Sequence, residues 1–193
     1  MKRHAPIWFI THPEVMIDPN RPVPDWGLAP KGLARMARLL EAPFIADIDA
    51  IWCSTERKAI EAAEILAAHR KIPARALAEL GENDRSATGY LPSAEFEATA
   101  DSFFARPLES VRGWERAIDA QARIVSAIHD IASQTPDHAG IAIVAHGAVG
   151  ALLLCHVTKT PISRKADQPG RGGGNYFMFA AGVLVHGWTP IDA

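Results

Sequence analysis

Cysteine occurs only twice in the 193 residues, at Cys53 and Cys155, which lie far apart in apolar stretches. Without a disulfide framework or C-x-x-C spacing, two buried thiols in a reducing cytosol are expected. Charge of one sign is also scarce, since 20 Lys and Arg against 22 Asp and Glu leave a formal net charge of −2. That balance gives no overall attraction to nucleic acid or to an anionic membrane, but it permits a local cationic pocket. No segment approaches the ~18 apolar residues of a membrane helix, and the apolar run Ile7 to Ile10 is too short for a secretory signal. A soluble, cytoplasmic protein is the expectation, with no nucleic-acid or membrane partner and no reading of its oligomeric state.

Several chemical signatures are missing as well. The run Gly170 to Gly174 has no preceding strand and no Lys-Ser/Thr, so it is no P-loop and reads as a mobile loop. His146-Gly147 lacks the serine of a nucleophile elbow. The eight histidines show no H-E-x-x-H or other metal spacing, so neither a metal nor another cofactor is expected.

What remains is an ordinary globular composition, 48% hydrophobic and 22% charged, in a length that fits one domain over residues 1–193. Strand-like and helix-like segments alternate. Ile7 to Thr11, Ala50 to Cys53 and Gly140 to Ala145 are dense apolar runs of the kind found in strands covered on both faces. A helix is expected from Pro30, another after Ser54 or Thr55 as N-cap to about His69, and the longest from Gly113-Trp114. Ala148 to His156 reads as the helix after the third strand, and Tyr176–Phe179 with Val183–Val185 as a terminal strand pair. Residues 71–112 look irregular apart from strand character around Ala74 to Leu77. The pattern predicts an α/β fold: a three-layer α/β/α sandwich with a mostly parallel central sheet, whose ligand sits beyond the carboxyl ends of the strands.

Three strands end in reactive residues. The first leaves through Thr11-His12-Pro13, the second through Ser54 to Lys58, and the third through His146-Gly147. Two imidazoles beside cations make a site for an anion, and phosphate is the obvious one: one imidazole can attack phosphorus while the other stabilises the transferring group. A cationic first turn at Arg57-Lys58 is unfavourable for a helix N-terminus unless an anion sits there. His4, His69, His129, His138, His156 and His186 read as ordinary polar residues. Trp8, Trp26, Trp52 and Trp114 read as core or pocket wall, and Arg112 and Arg116 as surface charges.

Strand–His, then Ser-x-x-x-cation-Ala-x-x-x-Ala, then strand–His-Gly resembles the histidine phosphatase superfamily, the phosphoglycerate mutase-like fold, over nearly the whole chain. Trp26 to Gly32 is similar to the family's Leu-Thr-x-x-Gly segment, Ser54 to Leu66 to its second motif and Ile143 to Gly147 to its last, while Asn175 falls where the family has a polar residue. The resemblance implies that His12 is the nucleophile that becomes phosphohistidine, that His146 is the second histidine of the pocket, and that Lys58 stands for the family's second arginine. It implies a proton donor after Leu77: Glu82 first, then Asp84, then Glu79. The implied activity is hydrolysis of a small phosphomonoester or binding of a phosphate-like anion.

This chain departs from the family's Arg-His-Gly at Thr11-His12-Pro13. Threonine cannot reproduce the arginine fork, lysine at 58 keeps charge but not the planar geometry, and each lost charge-assisted hydrogen bond removes roughly 1.5–3 kcal/mol. Thr11 remains a candidate substrate contact, with Arg85, or else Arg21, as the compensating cation. A catalytically weakened phosphate- or nucleotide-binding module on the same fold is the alternative reading; mutase action is less expected than hydrolysis.

Overall fold

The structure, a computed structural model, describes residues 5–193. Strand β1 (Pro6–Thr11) sends Ile7 and Phe9 into one apolar cluster and Trp8 and Ile10 into another on the opposite face of the sheet. A strand apolar on both sides needs cover on both sides. Helix α1 (Pro30–Leu39) starts on a proline, whose missing N–H is harmless in the first turn, and buries Met36 and Leu39. Strand β2 (Ile48–Cys53) leads into α2 (Arg57–Arg70), which buries Ala59, Ala62, Ala63 and Leu66 at helical spacing. Then follow β3 (Ala74–Ala76), α3 (Ser93–Ala105), α4 (Ala117–Ser133), β4 (Gly140–Ala145), α5 (Gly147–Val157), β5 (Asn175–Ala180) and β6 (Val183–Pro190).

The strands form one sheet in the order β3-β2-β4-β1-β5-β6. β3, β2, β4 and β1 run parallel, while β5 and β6 are antiparallel. Helices α1 and α2 cover the face carrying Trp8 and Ile10; α4 and α5 cover the face carrying Phe9. The expected three-layer sandwich is therefore the observed one. β4, between β2 and β1, is buried along its whole length, and full burial of each large apolar side chain contributes about 1.5–3 kcal/mol.

Four local expectations change. Residues 71–112 contain α3, whose sequence has weak helical periodicity; Phe103 and Phe104 hold it by packing with Trp114 and the α5 residues Ala151 and Leu152. Helix α4 starts at Ala117 rather than Gly113, because Arg112 (φ 53°) and Gly113 (φ 82°) adopt left-handed backbone that cannot continue a right-handed helix. Glu56 is the N-cap of α2, while the Ser54 hydroxyl accepts the Glu56 N–H at 3.1 Å in the preceding turn. The glycine loop read as mobile is tied down at its end: Arg35 donates to the Gly173 and Gly174 carbonyls, and the Gly174 N–H donates to the His12 carbonyl at 3.1 Å.

Candidate active site

Strand register builds the site. Thr11 pairs with Ala145 where β1 and β4 run side by side, so the next residue of each strand, His12 and His146, must adjoin. The His12 N–H donates to the Ala145 carbonyl at 3.1 Å, and the two rings stand edge to face with centroids 5.1 Å apart. β2 ends against the other side of β4, where the Ser54 N–H donates to the Val144 carbonyl, and its exit delivers Glu56 and Lys58 to the same place.

The two imidazoles differ. His12 is partly exposed, and its Nδ1 lies 2.9 Å from the Pro13 carbonyl. A carbonyl accepts only, so Nδ1 carries the proton and Nε2 keeps its lone pair. Burial pushes the His12 pKa down to about 4, with the Lys58 ammonium adding to the effect and the Pro13 hydrogen bond opposing it. His146 is 1% exposed, and both its ring nitrogens are without a hydrogen-bond partner. Burial also holds its pKa well below the usual histidine value, against the pull of Glu56, whose Oε1 lies 3.3 Å from Nε2.

Lys58 is almost fully buried, a rare state for a lysine unless paired. Its Nζ donates to the Val23 carbonyl at 2.9 Å and to the Glu56 carboxylate. Burial alone would raise the Glu56 pKa, but His146 and Lys58 draw it down to about 2, so Glu56 is charged at neutral pH. Arg57, the neighbouring cation, points out and pairs with Glu61.

Glu82 follows β3 and reaches under the start of α5. Its Oε2 accepts the Ala148 N–H at 3.2 Å, and its Oε1 accepts the Val149 and Asn83 N–H groups at 3.1 Å each. Burial raises its pKa, and the Glu56 charge adds to this against Arg85 and the backbone donors. The other two acid candidates fall away from this role. Asp84 is exposed and held in its charged form by the Ser86 N–H, while Glu79 is exposed and lines a separate surface cavity with Trp52 and Arg123.

Arg85 lies with its guanidinium 5.1 Å from the Phe96 ring centre and 5.6 Å from that of Trp114. It lines both cavities at the site: one of about 420 Å³ with Glu56, Glu82 and Asn83, the other of about 280 Å³ with His12 and Lys58. Arg21 instead pairs with Asp18 at the surface.

Thr11 does not face these cavities. It is fully buried, its hydroxyl donating to Gln168 Oε1 at 2.7 Å and accepting the Asn175 N–H at 3.0 Å. Its place is in the joint between β1 and β5, and the expectation of a substrate contact is corrected accordingly. Asn175 likewise spends its side-chain amide on Gln168, Pro169 and Gly173.

Two site residues escaped the sequence reading. Glu56 had the appearance of an ordinary acid before a helix. Asn83 is 3% exposed with an unpartnered Nδ2, and only its place beside Glu82 could have drawn attention to it. The remaining histidines, His69, His129, His138, His156 and His186, lie outside the constellation, and His4 falls outside the described residues. Among the described residues no group of three His, Cys, Asp or Glu side chains stands at metal-holding geometry, and no helix is long and apolar enough to cross a membrane.

A paired-histidine pocket at the carboxyl end of such a sheet defines a class. Residues 7–170 match the histidine phosphatase superfamily (branch 1), and the chain belongs to it. YhfR of Bacillus stearothermophilus has the same fold, with a TM-score of 0.81 at 24% identity over 98% of this chain and 100% of that one. A mycobacterial glucosyl-3-phosphoglycerate phosphatase, solved with inorganic phosphate, gives 0.79 at 18% identity over 98% and 99%. The alpha-ribazole phosphatase of Shigella flexneri gives 0.69 at 16% identity over 96% of each chain. At these identities the likeness is one of fold. No curated protein sequence matches the chain. Its family makes the protein a phosphoric monoester hydrolase in class.

Proposed function

We propose that the protein hydrolyses a small phosphomonoester through a phosphohistidine on His12. The observation that carries this reading is the tautomer of His12: Nδ1 is tied to the Pro13 carbonyl, which leaves Nε2 free, in a ring that burial keeps neutral at pH 7. Nε2 attacks phosphorus and forms the N–P bond as the bond to the leaving oxygen breaks. Glu82, whose raised pKa favours the protonated acid, gives its proton to that oxygen. The Glu82 carboxylate then takes a proton from water, the water oxygen attacks phosphorus, and the N–P bond breaks to release phosphate.

Lys58 and Arg85 supply charge and hydrogen bonds to the phosphoryl oxygens, and the neutral His146 ring beside His12 donates a single N–H. A nucleophilic imidazole and a buried lysine lining one cavity, with the second imidazole edge to face against the first, favour an enzyme over the inactive binding module.

Rapid quenching with a ³²P-labelled phosphoester tests the scheme. A label stable to alkali, lost in acid and absent from the His12→Ala protein supports it. Turnover without any labelled protein, or labelling that persists in His12→Ala, would overturn it.

A further inference from the structure

The two cavities that meet at Arg85 differ in character. The larger has the charged residues Glu56, Glu82, Asp84 and Arg85 in its lining. The smaller, about 280 Å³, opens beside His12 and Lys58 and is walled by Val15, Ile17, Trp26, Tyr90, Leu91 and Phe96. No carboxylate lines it among the described residues.

Its aromatic wall is held in place. The Trp26 Nε1–H donates to the Asp18 and Arg21 carbonyls, and the ring lies 5.6 Å from that of Tyr90, inclined at 57°. On the opposite side Phe96 is fixed beneath Arg85. Tyr90 and Ile17 are 39% and 62% exposed, a large apolar exposure beside charged residues. An apolar recess of this size beside a few convergent polar groups is the usual form of a small-molecule subsite.

We infer that the leaving group is uncharged and apolar, with an aromatic ring preferred, and that it lies against the Trp26–Tyr90 wall. The substrate class is then an aryl or arylalkyl monophosphate rather than a sugar phosphate or a phosphorylated carboxylic acid. This rests on the phosphatase reading above. The smaller lobe carries the inference: it offers a ring-sized apolar surface next to His12, with no charged group in its lining beyond Lys58 and Arg85 among the described residues. Beyond Lys58 and Arg85, which the phosphatase reading assigns to the phosphoryl oxygens, no cation lines either cavity among the described residues.

Leaving-group acidity must be matched for a fair test, so 2-phenylethyl phosphate is compared with glycerol 3-phosphate and 3-phosphoglycerate. The expected kcat/KM for the phenylethyl ester exceeds both others by about 10-fold or more, the discrimination a hydrophobic pocket gives. Tyr90→Ser and Ile17→Ser, both at exposed positions, should shrink that ratio. Equal rates on the three esters, preference for phosphoglycerate, or variants that lower all rates alike would overturn the inference while leaving the phosphohistidine scheme standing. Failure of the protein to hydrolyse any of the esters or to accept label would overturn both.

Discussion

The Glu56 carboxylate lies 3.3 Å from Nε2 of His146 and holds the Lys58 ammonium with its other oxygen, so one internal anion engages two groups suited to a phosphoryl oxygen. In the resting protein the pocket's buried cation is already neutralised. A phosphate must therefore compete with a carboxylate of the protein itself. Removing one partner of such a buried pair leaves an uncompensated charge, whereas adding a new anion restores the balance.

Glu56→Gln should accordingly bind inorganic phosphate more tightly. One charge ~5 Å away contributes roughly 1 kcal/mol at the dielectric of water and about 3 kcal/mol at an effective dielectric near 20, so the inhibition constant should fall by between about fivefold and about a hundredfold. Turnover should move the other way, because Lys58 and His146 lose the carboxylate that positions them. The variant should also melt at a lower temperature without phosphate and recover most of the loss with it, by linkage. An unchanged phosphate inhibition constant would show that Glu56 does not guard the pocket.

Acid sensitivity follows from the two imidazoles. Burial holds His12 near pKa 4, against 6.5 in the unfolded chain, so the unfolded state binds more protons between those values. The stability this contributes is complete above pH 6.5 and is lost as the pH falls towards 4. His146, also depressed, acts with the same sign. Glu56, drawn from 4.5 down to about 2, contributes stability that is present above 4.5 and lost below it. Glu82, whose pKa burial raises, acts with the opposite sign, its contribution growing as the pH falls through its folded pKa. The histidine part should therefore show as a fall in melting temperature between pH 6.5 and 4 that is shallower in His12→Gln. The acid limb of kcat/KM should fall near pH 4 instead of 6.5.

Much of this arrangement could be read from the chain, and the reasons for success and failure are physical. The strands ending at Thr11 and Ala145 announce themselves as short β-branched and aromatic runs, and a histidine just past each has no packing reason to be there. That the two rings meet depends on β1 lying beside β4, a matter of strand order that no local pattern encodes. Helix α3 was illegible because its apolar residues recur irregularly and its stability comes from tertiary contact with Trp114. Glu56 was illegible because an acid at a helix start is ordinary. Thr11 misled because its position suggested the pocket, while its hydroxyl turns into the β1–β5 joint.

Thr11→Val tests that last point. The change deletes the acceptor of the buried Asn175 N–H and the donor to Gln168, and leaving such groups unsatisfied costs about 1–3 kcal/mol. Chemical denaturation should register that loss, with KM for the phosphoester unchanged. A large rise in KM at unchanged stability would return Thr11 to the substrate-binding set.

The glycine loop provides the most direct lever on the nucleophile. A Cβ on Gly173 would lie 2.2 Å from the His12 carbonyl oxygen, well inside contact distance, and the residue has φ of 76°. Gly170 has nearly the same backbone, φ 77°, but nothing within 4 Å of the added carbon. Alanine at either site bears the left-handed strain, of order 1–3 kcal/mol, yet at Gly173 the backbone of His12 must also move. A displacement of about 1 Å at a reacting group can cost ~100-fold in rate. Gly173→Ala should therefore depress kcat far more than Gly170→Ala for a comparable loss of stability, as steady-state kinetics beside thermal melts would show. Equal kcat in the two proteins would mean that the loop can yield without disturbing His12, and that its ties to Arg35 and to the His12 carbonyl serve the fold alone.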